Sequence, residues 1–267
     1  AHIEFLGSRD KIADAKMEIT DFLQEDGEFI YNGDEPLLAE RAAKLSQDKS
    51  TFGFADSDSI HASDLRSTMH HSFFKINGTD REFSIPMIGR HNVANAMAAI
   101  LVGRHFGESD EEIAAGLANF VPTANRMEWE KGDCGEDIMS DIYNSNPTAV
   151  KAVTASFGQV PVSEGGRRIA VLADMLELGS RSADLHKGLA ACLDPDKINV
   201  LYLYGPEMNH LYQALLDKYG QQNLHYYPED EMSHLIDDLK SDIHSQDIVL
   251  LKGSHGMHLE RVLDRLK

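Results

Sequence analysis

The sequence predicts an α/β protein of two domains, the second built on a mainly parallel sheet. The chain has 267 residues, enough for two domains that each bury their own core. Its second half alternates short apolar runs with helix-like segments, the pattern of right-handed βαβ units and a Rossmann-like shape. Its first half contains alternating β-branched and aromatic residues broken at Asn77-Gly78, a strong signal for a hairpin turn.

The first domain is predicted to mix helices with short strands. Helical spacing of apolar residues covers residues 9–23, 36–45, 91–105 and 110–119. Strands are predicted over 28–32 and 51–54, and antiparallel strands over 60–86. A connector over 122–125 divides the chain into domains of residues 1–122 and 123–267. Because the chain opens with Ala1 and a helix is under way within ten residues, we expect a fragment that lacks an N-terminal part.

The second domain is predicted to alternate strands and helices regularly. The predicted strands cover residues 168–172, 200–204, 224–227 and 248–251, and the predicted helices cover 183–193, 207–219, 232–241 and 259–266. A further strand is expected to end at Asp141, after which Pro147 is expected to keep the chain from entering a helix at once. No GxGxxG fingerprint occurs, so shape alone predicts no cofactor.

Charge and composition exclude several classes of function. Asp and Glu number 44 against 25 Lys and Arg, and the net charge of −19 repels polyphosphate backbones, so nucleic-acid binding is not expected. No apolar run approaches the ~20 residues that cross a bilayer. Two cysteines are too few for a disulfide framework and no secretory signal opens the chain, which predicts a cytoplasmic protein. An anionic nucleotide would need divalent metal, helix N-termini or a few placed cations.

Two clusters of polar residues stand out in the first domain. His2 precedes a Gly-Ser loop and Lys16 follows in an Ala-rich helix, and each alone has a plain interpretation as a surface residue. Asn92 and Asn95 lie three apart near the start of a helix, so both amides are expected on one face. Amides can donate and accept, as an adenine edge requires. Capping by Asn92 is the structural alternative.

Two further clusters lie in the second domain. Asp141, at a strand end, could hold ribose hydroxyls and Arg126 could reach phosphates, although an interdomain salt bridge would also account for this pair. The fourth cluster follows the ends of two predicted strands, where open α/β sheets bind ligands. A tight turn with a solvated lysine is the alternative there. The fourth cluster consists of Asp174, Glu177, Lys252 and Ser254.

These clusters, in this order, resemble the Mur ligases, and within them the branch that adds D-alanyl-D-alanine. The matching stretches run from end to end of the chain, and the departures are Ala173, Ser145 and His255, where the family pattern has glycine, alanine and arginine. The branch is indicated by Tyr-Asn-x-Asn-Pro and Asp-Met-Leu-Glu-Leu-Gly. The stretches are Ala1-His2-Ile3-Glu4, Gly7-Ser8, Ala15 to Ile19, His91-Asn92 through Ala99, Arg126-Met127-Glu128, Asp141 to Pro147, Asp174 to Gly179 with His186, and Lys252-Gly253-Ser254.

The resemblance implies ATP-dependent ligation of D-alanyl-D-alanine to UDP-N-acetylmuramoyl-tripeptide through an acyl phosphate, in peptidoglycan precursor synthesis. Residues 1–122 would be the later part of a central ATPase domain, whose P-loop lies upstream; no GxxxxGK[ST] occurs in this sequence. The implied cofactors are ATP and Mg²⁺, with a monomer expected. His2 would ligate Mg²⁺ and Lys16, as a carbamate, would be a further metal ligand or orient the acyl phosphate.

The resemblance also assigns roles in the nucleotide and dipeptide sites. Asn92 and Asn95 would face adenine, Asp141 the ribose, and Arg126 the transferred phosphate, in an ATP site shared by the two domains that domain closure would gate. For the dipeptide we expect Lys252 to meet the carboxylate, with Asp174 or Glu177 at the amine and Ser254 beside them. Alternatively, Lys252 reaches the nucleotide phosphates or the acyl phosphate.

Two other functions stay open at this point. A folylpolyglutamate synthase-like ligase shares the architecture and the acyl-phosphate route, although the motif from Tyr143 to Pro147 argues against it. A non-catalytic module that holds nucleotide or peptide without turnover is the other alternative, because the sequence contains no P-loop.

Overall fold

The computed structural model describes residues 3–267 and divides them into two compact units. The N-terminal unit covers residues 3–121 and the C-terminal unit covers Pro122–Lys267. Within the described residues, every helix is too short or too polar to span a bilayer.

A five-stranded sheet forms the N-terminal unit, with its strands in sequence order. The strands are β1 (Glu28–Asn32), β2 (Asp48–Gly53), β3 (Ile60–Ser67), β4 (Ser72–Ile76) and β5 (Glu82–Ile85). The first three pair in parallel and the last three antiparallel. The antiparallel prediction is thus confirmed, with Gly78 at a positive φ of 80° in the turn between β4 and β5.

The first predicted helix of this unit ends earlier than expected. The helices are α1 (Ile3–Leu6), α2 (Arg9–Met17), α3 (Pro36–Ala42), α4 (Arg90–His105) and α5 (Asp110–Ala118). The helix predicted over 9–23 ends at Met17 and continues only as one 3₁₀ turn, Glu18–Thr20. Helix α4 buries Val93, Met97 and Ile100 against the sheet residues Phe74 and Phe83, which forms the core of the unit.

A six-stranded sheet forms the C-terminal unit. Its strands are β6 (Glu128–Lys131), β7 (Asp137–Asp141), β8 (Arg168–Ala173), β9 (Val200–Tyr204), β10 (Leu224–Tyr227) and β11 (Ile248–Lys252). They lie in the order β10-β9-β8-β11-β7-β6, all parallel except β6, which runs antiparallel to β7. Every residue of β9 and β11 is buried, as expected for parallel strands covered on both faces. The α/β fold class with a mainly parallel sheet is confirmed.

Five helices cover this sheet: α6 (Pro147–Phe157), α7 (Ser182–Lys187), α8 (Met208–Tyr219), α9 (Met232–Asp242) and α10 (Glu260–Leu266). The prediction that Pro147 delays helix formation is wrong, because Pro147 is itself the first residue of α6. Proline fits that position, where its missing N–H has no helical partner. Asn146 caps the helix by accepting the N–H of Ala149 at 3.0 Å.

Strand order places the candidate residues of this unit at one edge of its sheet. Strand β11 lies between β7 and β8, so the carboxyl ends of these three strands are neighbours. The chain steps outward from β8 through β9 to β10 and then returns to β11, which reverses the strand order beside β8. Open α/β sheets bind ligands in the crevice at such a reversal.

Candidate active site

The ends of β7 and β11 are joined by an ion pair between Asp141 and Lys252. The two residues are partners in the strand register, and the Lys252 Nζ lies 3.0 Å from a carboxylate oxygen of Asp141. The ammonium also donates to the backbone carbonyls of Asp141, at 3.2 Å, and of Asn144. Lys252 is only 2% exposed, and burial lowers its pKa while the Asp141 carboxylate opposes that shift.

The turn that follows β7 is held by hydrogen bonds to Asn125 and within the turn itself. The backbone N–H groups of Ile142 and Tyr143 donate to the carbonyl of Asn125, at 3.1 and 3.3 Å. The side chain of Asn144 accepts the N–H of Ser145 at 2.8 Å. Tyr143 is left 53% exposed, so the turn leaves part of an aromatic ring accessible.

Arg126 stacks on that aromatic ring. Its guanidinium carbon lies 4.3 Å from the centre of the Tyr143 ring, and its side chain is exposed. The residues on either side, Asn125 and Met127, have positive φ values of 60° and 50°. This left-handed conformation is uncommon for residues other than glycine. Asn125 is held there because its N–H donates to the Glu128 carboxylate at 2.9 Å. The segment 125–127 therefore holds the Arg126 guanidinium at this edge of the sheet.

Asp174 follows β8 and points into the protein. Its carboxylate accepts the backbone N–H groups of Glu207, at 3.1 Å, and Met208, at 2.8 Å, at the start of α8. It is 2% exposed, and burial raises its pKa to about 6 in spite of these two bonds. Gly205 makes the approach possible, because a Cβ there would lie 2.5 Å from the Asp174 carboxyl carbon.

Glu177 and Ser254 differ in environment although both lie in the predicted crevice. Ser254 is 6% exposed, accepts the N–H of Leu176 on its hydroxyl at 2.9 Å and donates its own N–H to the Asp174 carbonyl at 3.2 Å. Glu177 is exposed and has a positive φ of 61°. Ser254 thus holds the loop after β8, whereas Glu177 projects from it.

His186 is one of the residues that resemble the Mur ligases, but the sequence predicts no role for it. The ring is fully buried and bonded to the backbone of Met175 and Ser182. A histidine on a short helix has no local pattern that reveals such partners, so only the three-dimensional structure could show them.

The two amides predicted to act together in the N-terminal unit have different environments. Asn92 is buried, and its amide donates to the Ile88 carbonyl at 2.8 Å, whereas Asn95 is exposed. Helix α4 is preceded by Gly89 with a φ of 102°, so Asn92 is not the capping residue. Arg90, exposed on the first turn, lies 3.7 Å over the Phe54 ring.

The predicted metal ligands are only partly described. His2 lies outside the described residues, and Lys16 is exposed in the last turn of α2. Within residues 3–267, no three His, Cys, Asp or Glu side chains are grouped closely enough to hold a metal ion. Because Mg²⁺ is commonly held by one or two protein oxygens and substrate phosphates, Lys16 as a carbamate would be one such oxygen donor.

The chain matches two domains of known families. Residues 1–103 match the Mur ligase middle domain, and residues 125–255 match the Mur ligase glutamate ligase domain. The chain belongs to the Mur ligase family. The family predicted from the sequence motifs is therefore confirmed.

Similar proteins carry a more specific name. The UDP-N-acetylmuramoyl-tripeptide–D-alanyl-D-alanine ligase of Bacillus subtilis is 38% identical over 267 residues, covering 100% of this chain and 57% of that protein. The Escherichia coli protein of the same name is 28% identical, covering 100% of this chain and 58% of that protein. This Mur ligase chain therefore spans a little over half the length of these relatives.

Solved structures agree with the fold. MurF from Acinetobacter baumannii has a TM-score of 0.85 at 25% identity, over 100% of this chain and 57% of that one. MurF from Thermotoga maritima in complex with ADP has a TM-score of 0.82 at 24% identity, over 100% of this chain and 59% of that one. This Mur ligase chain thus has the fold of the corresponding part of both proteins.

Proposed function

We propose that this chain is part of an ATP-dependent ligase that joins D-alanyl-D-alanine to UDP-N-acetylmuramoyl-tripeptide in the cytoplasm. The observation that carries the proposal is the 38% identity with the Bacillus subtilis ligase, which runs through the whole chain. Residues 1–122 would be the later part of the central ATPase domain and residues 123–267 the C-terminal ligase domain. ATP would phosphorylate the tripeptide carboxylate, and the dipeptide amine would displace phosphate through a tetrahedral intermediate.

The nucleotide role rests on the edge formed by β7 and its turn. Arg126 is an exposed cation that is charged at every working pH, which suits a group that meets a phosphate. The side chain of Asp141 is 15% exposed, so a ribose hydroxyl can approach it. Asn95, exposed on α4, is the better of the two amides for an adenine edge, because Asn92 already donates to a backbone carbonyl.

The dipeptide role rests on the loop after β8. Glu177 is exposed and can accept hydrogen bonds from the dipeptide amine. Asp174 and Ser254 are bonded to backbone groups and would shape the crevice. The sequence predicts Lys252 at the dipeptide carboxylate, but its ammonium would first have to leave Asp141.

Magnesium would be held by Lys16, as a carbamate, with His2 and the nucleotide phosphates. When bound, the ion would offset the negative charge on the transferred phosphate. Lys16 would itself orient a phosphate or acyl phosphate, and its exposure at the end of α2 supports this role.

The proposal can be tested with a chimera, because the 267 residues contain no P-loop motif. Alone, the chain is expected to release no phosphate from ATP. Joined to the part of the Bacillus subtilis ligase outside the matched region, it should release phosphate only when both UDP-muramyl tripeptide and D-alanyl-D-alanine are present. Circular dichroism would verify that the chimera is folded.

The competing functions give different results in the same assay. Phosphate release that depends on a folate and glutamate would favour a folylpolyglutamate synthase-like ligase. A folded chimera that binds ADP and gives no turnover with either substrate pair would favour a non-catalytic binding module. Either result would overturn the proposed ligation.

A further inference from the structure

The ammonium of Lys252 has no hydrogen left for a substrate. A lysine ammonium carries three N–H donors and no acceptor. Here it meets three acceptors, namely the Asp141 carboxylate, the Asp141 carbonyl and the Asn144 carbonyl. Because the side chain is only 2% exposed, a dipeptide carboxylate could reach it only by displacing one of these partners.

We propose that Lys252 is a positioning residue that sets the turn Asp141–Asn144 on the nucleotide side of the site, and that it does not bind the dipeptide. The role in nucleotide binding rests on the ligase function proposed above. The effect of Lys252 on the turn rests only on the contacts in this chain.

The contacts show how one side chain can set the turn. Two of its acceptors are backbone carbonyls three residues apart, so both must point inward at the same ammonium. In addition, the carbonyl of Asn125 accepts the N–H groups of Ile142 and Tyr143. The turn is therefore clamped between Lys252 and Asn125, and the clamp fixes where the Tyr143 ring stands.

The same clamp orients the two groups assigned to the nucleotide. The ion pair with Lys252 fixes one oxygen of the Asp141 carboxylate and so sets the direction of the other oxygen. Hydrogen-bond partners behind a metal ligand orient that ligand in the same way. Arg126 stacks on Tyr143 and therefore depends on the position of the turn. Loss of the ammonium would free Asp141 and Tyr143 together. The loop after β8, which carries Glu177, is held instead by the Ser254 hydroxyl and the His186 ring.

Hydrogen exchange of the chain tests the clamp directly. In Lys252→Met, the amides of Ile142 and Tyr143 should exchange about tenfold faster, whereas the amide of Leu203 in β9 should change little. Lys187→Met, at an exposed lysine on α7, is the matched control and should leave all three unchanged. Unchanged exchange in the turn, or an equal rise at Leu203, would overturn the clamp.

A second variant covers the case in which Lys252→Met fails to fold. The partly buried Asp141 carboxylate would be left without its partner, which is costly, and Lys252→Met combined with Asp141→Asn removes that charge. The double variant should regain the melting temperature of the parent and still show fast exchange at Tyr143. Normal exchange at Tyr143 in a stable double variant would contradict the proposal.

Kinetics of the active chimera test whether Lys252 affects nucleotide binding. Lys252→Met should raise the KM for ATP about tenfold or more and leave the KM for D-alanyl-D-alanine nearly unchanged. A larger effect on the dipeptide would restore the original assignment and overturn this one. If the chimera has no ligase activity, the proposed function fails, but the exchange experiment still decides whether Lys252 sets the turn.

Discussion

The Nε2 atom of His186 accepts a hydrogen bond from the backbone N–H of Met175, 2.9 Å away. The Nδ1 atom lies 2.8 Å from the carbonyl oxygen of Ser182, so the ring proton must be on Nδ1. Because the ring is fully buried, desolvation lowers its pKa and favours this neutral form. One imidazole thus ties the loop after β8 to the first turn of α7.

Replacing His186 with leucine should loosen that loop. Leucine fills a similar volume but leaves the buried N–H of Met175 without its acceptor, which should cost about 2 kcal/mol in the free energy of unfolding. Urea denaturation would measure the loss, and exchange of the Met175 amide should become faster. His210→Leu, at an exposed position on α8, is the control and should be nearly neutral. Equal losses in the two variants would contradict the role of the buried ring.

The stability of the chain should rise as Asp174 takes up a proton. Its pKa of about 6 in the folded protein lies above the ordinary value of 3.8, so the folded state binds the proton more tightly than the unfolded state. The stabilising effect is therefore present at low pH and is lost as the pH rises through about 6.

Comparison with Asp174→Asn isolates this effect. Between pH 7 and pH 5 the parent should gain about 1 kcal/mol of unfolding free energy relative to the variant. Other titrating groups, including His186, contribute alike to both proteins and cancel in the difference. Urea denaturation at each pH gives the values, and a difference that stays constant with pH would show that Asp174 is ionised throughout.

Much of the fold follows from local patterns. Strands β1, β9 and β10 have the predicted bounds, because short runs rich in aliphatic and aromatic residues and bounded by turn residues are strong signals. Strand β6 and helix α6 were not predicted. Charged residues in Glu128–Lys131 gave no strand pattern, and Pro147 was interpreted as a barrier to a helix that it in fact begins.

The strand ends that carry the candidate residues could be predicted, but the contacts between those residues could not. Polar residues after apolar runs correctly indicated the ends of β7, β8 and β11. The ion pair between Lys252 and Asp141 joins residues 111 positions apart in sequence, and it exists only because β11 lies beside β7. Strand order depends on packing of the whole unit, so no local signal could show that this lysine is already paired.

Lys16 is expected to matter for catalysis and not for folding. In the active chimera, Lys16→Ala should reduce ligation about a hundredfold or more, because a group that orients a transferred phosphate would be lost. The melting temperature should hardly change, since the position is exposed on a helix and alanine favours helix. Lys11→Ala, at an exposed lysine on the same helix, is the matched control. Normal turnover in Lys16→Ala would make Lys16 an ordinary surface residue.

Two serines near the turn should respond in opposite ways to the same substitution. Ser145 is 2% exposed, and within the described chain its hydroxyl has no hydrogen-bond partner. The Ser140 hydroxyl, by contrast, donates to the side chain of Asn125 at 3.1 Å. A buried hydroxyl without a partner is destabilising, so Ser145→Ala should raise the free energy of unfolding by about 1 kcal/mol. Ser140→Ala should lower it by about 1 kcal/mol, because it breaks a bond that supports the strained Asn125. Denaturant titrations of both variants decide the matter, and destabilisation by Ser145→Ala would show that its hydroxyl has a partner in solution.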